Sequence, residues 1–484
     1  ACRCPPGGKA GDTRMNAEPQ STIAAIATPH GTGGIGIVRI SGPQAKEVLS
    51  RMFLPLSPHF VNFRPWVLHR GRILDENGEP LDEVLAVHMP GPRSFTGEDV
   101  VEIHCHGGAF LVRAVLESVL RRGVRQAERG EFSRRAFVNG RMDLSQAEAV
   151  AEMIAAPSRE ALRYGLARLD GLLAQRVKAL REDLDGLRAR VCLSVDFPEE
   201  EVPELDAESF CALVDGLILG VRRLLAGSRR AGAMQHGARV VLAGSVNAGK
   251  SSLLNALLGR NRALVTDIPG TTRDFLEEAC MLDGLPVCLT DTAGLRRDAG
   301  IVEQMGVERS REKISEADAV LLVLDGGRLG EAGAAAARCP DAAAREVLEA
   351  AETCPVLAVW NKSDLGLPAV FPPRWLEKTE CCAVSALSGE GVEELAERLR
   401  ALLLADGREH IPGDGLAPNA RQSLELEEAL KHLEALRLDV LEGQPHDCCA
   451  ARLDLAAGHL EAVTGLSSAE QVLNSIFEQF CIGK

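Results

Sequence analysis

Between residues 21 and 105 the hydrophobic positions fall mostly in short apolar runs of strand length, at 22–27, 35–40, 66–74, 84–89 and 100–105. Turn formers separate the runs, Glu76-Asn77-Gly78-Glu79 most clearly. Two stretches of helical spacing, 45–53 and 110–121, interrupt them, so this region is predicted to be α+β. After Glu131 the spacing lengthens to the helical period and continues to about residue 190, rich in Ala, Leu, Arg and Glu. An acidic, proline-bearing stretch at 196–204 breaks it, and a further helical segment covers 207–225. From Ala238 to about 405 strand and helix patterns alternate, as in a parallel sheet with crossover helices, and 421–480 is helical again.

An α/β unit flanked on both sides by helical sequence predicts an inserted domain. The expected division is a disordered leader at 1–14, an α+β N-terminal domain at 15–130, a helical domain made of 131–235 plus 407–484, and an inserted α/β domain at 236–406. No internal repeat of 20–50 residues is visible. The hydrophobic share of 46% and charged share of 25% exclude wholesale disorder and collagen-like repetition. A formal charge of −15 excludes a chain that grips nucleic acid over its whole surface, so any such contact is local. Apolar runs such as Ala319 to Leu324 fall far short of the ~20 residues that a membrane-spanning helix needs, and no secretory apolar segment opens the chain. A cytoplasmic protein without membrane contact is expected. The 14 cysteines are scattered, without C-x-x-C spacing, which fits reduced thiols better than disulfides or structural zinc.

Candidate chemistry begins at Gly244-Ser245-Val246-Asn247-Ala248-Gly249-Lys250-Ser251, between the apolar run Val240-Val241-Leu242 and the helical Ser252-Leu253-Leu254. This is a phosphate loop in its proper strand-to-helix context: backbone N–H groups wrap a polyphosphate, Lys250 supplies a point charge, and Ser251 ligates magnesium. A chance glycine-rich turn is the bland alternative, and it leaves three later motifs unexplained. Asp291-Thr292-Ala293-Gly294 ends an apolar strand, placing a carboxylate near magnesium and a glycine N–H near the γ phosphate. Asn361-Lys362-Ser363-Asp364 ends another, and a carboxylate there accepts two hydrogens from the guanine edge, which adenine cannot offer. Ser385-Ala386-Leu387 then closes over the base. Together they specify GTP. The expected first switch loop is Thr266-Asp267-Ile268-Pro269-Gly270-Thr271-Thr272-Arg273-Asp274, with Thr272 as the second hydroxyl on magnesium. Leu295 follows Gly294 where many GTPases carry a water-orienting Gln, so hydrolysis must recruit another group.

The wording of this region is shared by several GTPases, including Era and Der, which leaves an Era- or Der-like ribosome-assembly switch as the rival reading. Three other features discriminate. They are Ile26-Ala27-Thr28-Pro29 with Gly33-Gly34-Ile35-Gly36-Ile37-Val38-Arg39 and Pro92-Arg93-Ser94-Phe95-Thr96-Gly97-Glu98-Asp99, then Gly130-Glu131-Phe132-Ser133-Arg134, and the terminal Phe480-Cys481-Ile482-Gly483-Lys484. With them the chain resembles the MnmE (TrmE) family of tRNA-modification GTPases over nearly all of 21–484.

That resemblance implies a tetrahydrofolate-binding N-terminal domain, a helical domain and a Ras-like G domain inserted into it. It implies a homodimer through the N-terminal domain and a heterotetramer with the FAD protein MnmG (GidA). The implied product is an aminomethyl-type group, commonly carboxymethylaminomethyl, on carbon 5 of the wobble uridine of certain tRNAs. The one-carbon unit would come from a reduced folate, 5,10-methylene- or 5-formyl-tetrahydrofolate in kind. Carried over by position, the folate residues are Arg39, Glu102, Lys484 and Arg141, the last where the family usually has Lys. Potassium would be held by Asn247, Thr266, Ile268 and Thr271, and the water-orienting Glu matches Glu303. Lys250 and Thr272 complete the expected catalytic set, and Asn247 to Ser252 the nucleotide cradle.

Other signals have plainer readings. Cys481 superficially suggests prenylation, but a terminal Lys is a poor match. His104 and His106 share one face of a strand while Cys105 takes the other, which disfavours a shared metal. The arginines at 121, 122, 125, 129, 134, 135 and 141 form either a solvated helix end or a contact for tRNA or a partner.

Overall fold

The computed structural model describes residues 21–196, 206–228, 232–234, 237–261, 277–291, 313–314, 316–336, 339–351, 354–377, 379–404, 416–467 and 470–483. The leader expected at 1–14 lies outside them. The described residues divide into two compact units, one from those within 1–147 and 468–484, the other from those within 148–467.

In the first unit the strands β1 (Ile23–Ile26) and β2 (Ile35–Ser41) lead into α1 (Ala45–Met52), then β3 (Phe53–Pro55), β4 (His69–Leu74), β5 (Pro80–Met89) and β6 (Val100–His106). Helix α2 (Ala109–Leu120), strand β7 (Arg125–Gln126) and helix α3 (Glu131–Val138) follow. The sheet order is β3-β4-β5-β6-β2-β1-β7. Its pairs are antiparallel except β1 with β7. Strand β4 starts at His69 and not at 66, because Trp66 takes φ of 63° and turns the backbone before it can extend. Period-two alternation sends Val38, Ile40, Val101 and Ile103 to one face, where Leu49 and Met52 of α1 and Val112, Val115 and Val119 of α2 cover them. The other face carries Arg39 and Glu102, paired across β2 and β6. The C-terminal helix Glu470–Glu478 belongs to this unit, and Ile482 forms a backbone bridge to Arg129.

The second unit combines helices and a second sheet. Helices α4 (Leu144–Ala155), α5 (Arg159–Leu169), α6 (Leu172–Asp196) and α7 (Ala207–Leu225) come first. Strand β8 (Ala238–Ala243), helix α8 (Lys250–Asn261), strands β9 (Glu277–Leu282), β10 (Leu285–Asp291) and β11 (Ala319–Asp325) follow. Then come α9 (Gly326–Ala335), α10 (Ala342–Ala350), β12 (Val356–Asn361), β13 (Glu380–Val384), α11 (Val392–Leu404), α12 (Ala420–Leu441) and α13 (His446–Thr464). The sheet order is β13-β12-β11-β8-β10-β9, all neighbours parallel except β9 on β10. Both faces are buried: Ala319, Leu321 and Val323 enter one core, Val320, Leu322 and Leu324 the other. The strand order reverses at β8, which opens a crevice beyond its carboxyl end, the usual ligand position in such sheets.

Helices α6, α7, α12 and α13 bury a separate core in which Leu173, Val177, Leu184, Leu187 and Val191 repeat at bundle spacing. No helix among the described residues is long and apolar enough to cross a membrane. The expected combination of α+β, all-helical and α/β parts is the one observed.

Helix α12 opens with a capping box between Asn419 and Gln422, tied to α4 by buried polar contacts. Glu148 accepts from Arg421 Nε and Gln422 Nε2, each at 2.6 Å. Glu152 accepts from Arg168 Nη1 at 3.0 Å and Asn419 Nδ2 at 3.2 Å. Arg168 is fully buried, and that burial pushes its guanidinium down to about 10. Removing its carboxylate partner strands a charge in the interior, at a cost of roughly 3–5 kcal/mol. Glu152→Ala is therefore expected to shift the urea midpoint well downward, and an unchanged midpoint would dismiss the pair as a determinant of stability.

Candidate functional site

The phosphate loop lies between β8 and α8, at the reversal point of the sheet. Asn247 takes φ of 66° and Gly249 φ of 92°. A Cβ on Gly249 would stand 2.2 Å from Asn361 Nδ2, so this position needs glycine for space as well as for conformation. Lys250 lies across the loop, its Nζ donating to the carbonyls of Gly244 and Ser245, each at 2.8 Å. Ser245 Oγ is buried with no hydrogen-bond partner among the described residues, the kind of orphan that a phosphate oxygen would satisfy. Ser251 Oγ donates to Asp291 Oδ2 at 2.9 Å, which brings a hydroxyl and a carboxylate from separate elements to one point. Two hard oxygen ligands so placed fit magnesium. Ser252 is exposed on the first turn of α8.

Asn361, almost fully buried at the end of β12, joins the remaining pieces. Its Nδ2 donates to the Ala248 carbonyl at 2.8 Å, and its Oδ1 accepts from the Ala386 N–H at 3.1 Å. Ser385 Oγ donates to Asp364 Oδ1 at 2.6 Å and accepts from the Ser388 N–H at 3.2 Å. Asp364 is exposed and Leu387 is 90% exposed, so a carboxylate and an apolar side chain stand together at the rim. Lys362 takes φ of 66° and its Nζ donates to Asp325 Oδ2 at 2.7 Å. No sequence motif points to Asp325, because the end of an apolar strand carries none of its own.

In the N-terminal unit Arg39 meets Glu102 through Nε at 2.9 Å and Nη2 at 2.8 Å, both to Oε1. His104 Nε2 reaches Glu102 Oε2 at 3.2 Å, a partner not foreseen from sequence, although a histidine two places along the strand must share the face. The His104 hydrogen bond, ahead of the Arg39 charge and against burial, holds the Glu102 carboxyl below its ordinary 4.5. The Arg39 guanidinium lies 5.5 Å from the Phe95 ring centre and 5.8 Å from that of Phe132, and Nη1 donates to the Gly483 carbonyl at 3.5 Å. Arg141 Nε donates to the Ser94 carbonyl at 3.1 Å, one residue from Phe95. An ionised carboxylate, a cation and the partly exposed Phe95 ring in one place suit a planar heterocycle with an anionic tail, Phe132 being buried behind them.

Thr266 to Thr272, Thr292, Ala293, Gly294, Leu295, Glu303 and Lys484 lie outside the described residues. Most of the arginine-rich stretch is engaged within the unit. Arg121 pairs with Glu76, Arg125 with Glu131, Arg134 with Glu470, and Arg135 with Glu98 and Glu131. Arg122 donates to the Leu74 and Asp75 carbonyls. That favours a structural reading over an open basic patch. No group of three or more metal-ligating side chains occurs among the described residues, His104 and His106 included.

Parallel strands reversing at a phosphate loop, with an Asn-Lys-Ser-Asp loop hinged onto it, define a P-loop GTPase domain set within helical sequence. The family described as "GTP-binding protein TrmE N-terminus" matches residues 22–141, and "MnmE helical domain" matches 144–481. A protein of Nitratidesulfovibrio vulgaris named tRNA modification GTPase MnmE is 56% identical over 464 residues, covering 96% of this chain and 99% of its own. Relatives of the same name from Lawsonia intracellularis and Carboxydothermus hydrogenoformans are 46% and 41% identical, each matching 96% of this chain and 99% and 100% of their own. The chain belongs to the MnmE family of tRNA modification GTPases.

Proposed function

We propose that this chain hydrolyses GTP to drive the addition of an aminomethyl-type group, carboxymethylaminomethyl in its common form, to carbon 5 of a tRNA wobble uridine. The observation that carries the nucleotide part is the Asn361 side chain, which joins the phosphate loop to the segment that covers the base. Asp364 takes the guanine edge, Lys250 the β and γ phosphates, and the backbone of 247–252 the polyphosphate. Ser251 and Thr272 supply hydroxyls to magnesium, with Asp291 beside them and the Thr292-Ala293-Gly294 segment at the γ phosphate. Magnesium, when bound, offsets the charge of the phosphates.

Leu295 cannot orient water, so Glu303 does so at one remove. Asn247, Thr266, Ile268 and Thr271 hold potassium, which when bound offsets charge on the transferring phosphoryl group. The cage needs Thr266 to Thr272 closed, with two G domains meeting, so turnover is gated by that closure. We further propose that the folded parts act as a 15–130 folate domain, a helical body of 131–235 and 407–484, and a G domain at 236–406.

Arg39, Arg141 and Lys484 face the anionic tail of a tetrahydrofolate, and Glu102 accepts from the amino-pyrimidine edge of its pterin. The reduced folate, when bound, supplies the one-carbon unit. The working assembly is a cytoplasmic homodimer through the N-terminal domain, joined to an FAD protein of the MnmG type in a heterotetramer that takes tRNA as substrate.

Mass spectrometry of wobble nucleosides from cells with and without this chain tests the whole reading; the modified uridine is expected to vanish without it, and its persistence would refute the assignment. Calorimetry with 5-formyl-tetrahydrofolate is expected to show binding weakened at least tenfold, about 1.4 kcal/mol, by Arg39→Ala while GTP affinity holds. Full folate affinity would remove Arg39 from the pocket. GTP turnover is expected to be several-fold faster in potassium than in sodium, and Asn247→Ala to abolish the difference; equal rates in both salts would sink the cation cage.

A further inference from the structure

Strand β11 ends at Asp325 and Gly326-Gly327 open α9, beside the loop that runs from Asn361 to Leu365, and none of the three belongs to a nucleotide motif. Asp325 is 8% exposed and uses both carboxylate oxygens. Oδ2 accepts from Lys362 Nζ at 2.7 Å, and Oδ1 accepts from the Arg328 N–H at 3.1 Å, capping α9. A Cβ on Gly326 would stand 2.4 Å from Trp360 Nε1 and 2.6 Å from the Asn361 carbonyl oxygen, so only glycine lets the strand end lie this close under the loop.

The loop above needs such support. Lys362 is in the left-handed backbone region, which a long side chain keeps only when its surroundings over-determine it. Its carbonyl accepts from the Leu365 N–H at 3.0 Å, closing the single turn that carries Asp364. A half-buried lysine left unpaired would sample several rotamers, whereas an ammonium held by a nearly buried carboxylate has one place to go.

We propose that Asp325 is a positioning residue for guanine recognition: by anchoring Lys362 it fixes the turn that presents Asp364 to the base, without itself touching the nucleotide. This rests on the reading of Asp364 as the guanine acceptor. The pair fixes backbone geometry in advance of binding, so its loss acts mainly on how long the nucleotide stays.

The test uses the full chain and the release of a fluorescent GDP analogue. Asp325→Asn keeps a side-chain oxygen for the α9 cap but loses the charge. It is expected to speed release about tenfold, the scale of one charge-assisted hydrogen bond, and to raise KM for GTP more than it lowers kcat. Asp325→Glu restores the carboxylate but is a poor cap, so it is expected to recover most of the slow release; a merely structural role predicts no such rescue. In a Lys362→Met background Asp325→Asn is expected to add nothing, and independent, multiplying effects would overturn the proposal. Release within twofold of the parent in Asp325→Asn would overturn it as well. Asp364→Asn, run in parallel for guanine-over-adenine preference, separates the two readings. Retained preference there sinks the recognition loop itself, whereas lost preference beside unchanged release in Asp325→Asn sinks only the role of Asp325.

Discussion

The nucleotide site depends on one buried amide. Asn361 ties two loops 113 residues apart in sequence through its link to Ala248, with its other atom committed to Ala386. A carboxamide suits this place because it donates from one end and accepts at the other, which no charged or apolar side chain of that size does. In a nearly water-free position neither contact has a solvent substitute, so losing the side chain would leave two backbone groups unsatisfied. The bareness of Gly249, the burial of β12 and the placement of Ser385 all follow from making room for it.

The motifs were legible in the sequence because each encodes a backbone requirement that few residues meet. Gly249, Asn361 and Asp364 stand where only those side chains, or none, serve the geometry. Strands such as β2, β5, β6, β8 and β12 were legible for a similar reason, as burial on one face or both leaves a short apolar run, whereas β3, β7, β9 and β13 carried no such signal. Boundaries were less so. The strand expected from 66 begins at His69, since one residue's left-handed backbone is decided by its three-dimensional neighbours and not by Trp66 itself. Asp325 and His104 were illegible as site residues because their meaning lies in a partner on the loop beyond another strand or two places along their own, which spacing alone does not assign.

Charge tells a similar story in the N-terminal unit. The densest basic stretch looked like an interface candidate, yet its side chains meet Glu131 within the stretch and Glu76, Glu98 and Glu470 from elements distant in sequence. A run of like charge is thus a weak guide to surface potential when acidic partners arrive from elsewhere. Arg39 differs: besides Glu102 it faces two aromatic rings and a backbone carbonyl, a setting that holds a guanidinium in place.

That last carbonyl belongs to Gly483, separated from Arg39 by 444 residues. The first unit is therefore assembled from two stretches that leave the ribosome far apart in time. At translation speeds of about 5–20 residues per second, the nascent N-terminal sheet waits roughly 20–90 s for the segment that closes over Arg39. During that interval the second unit is synthesised in full, and the early part folds without its closing helix and tail. A chain interrupted between the end of the second unit and Gly483 would hold a finished GTPase core and still lack the backbone contact to Arg39.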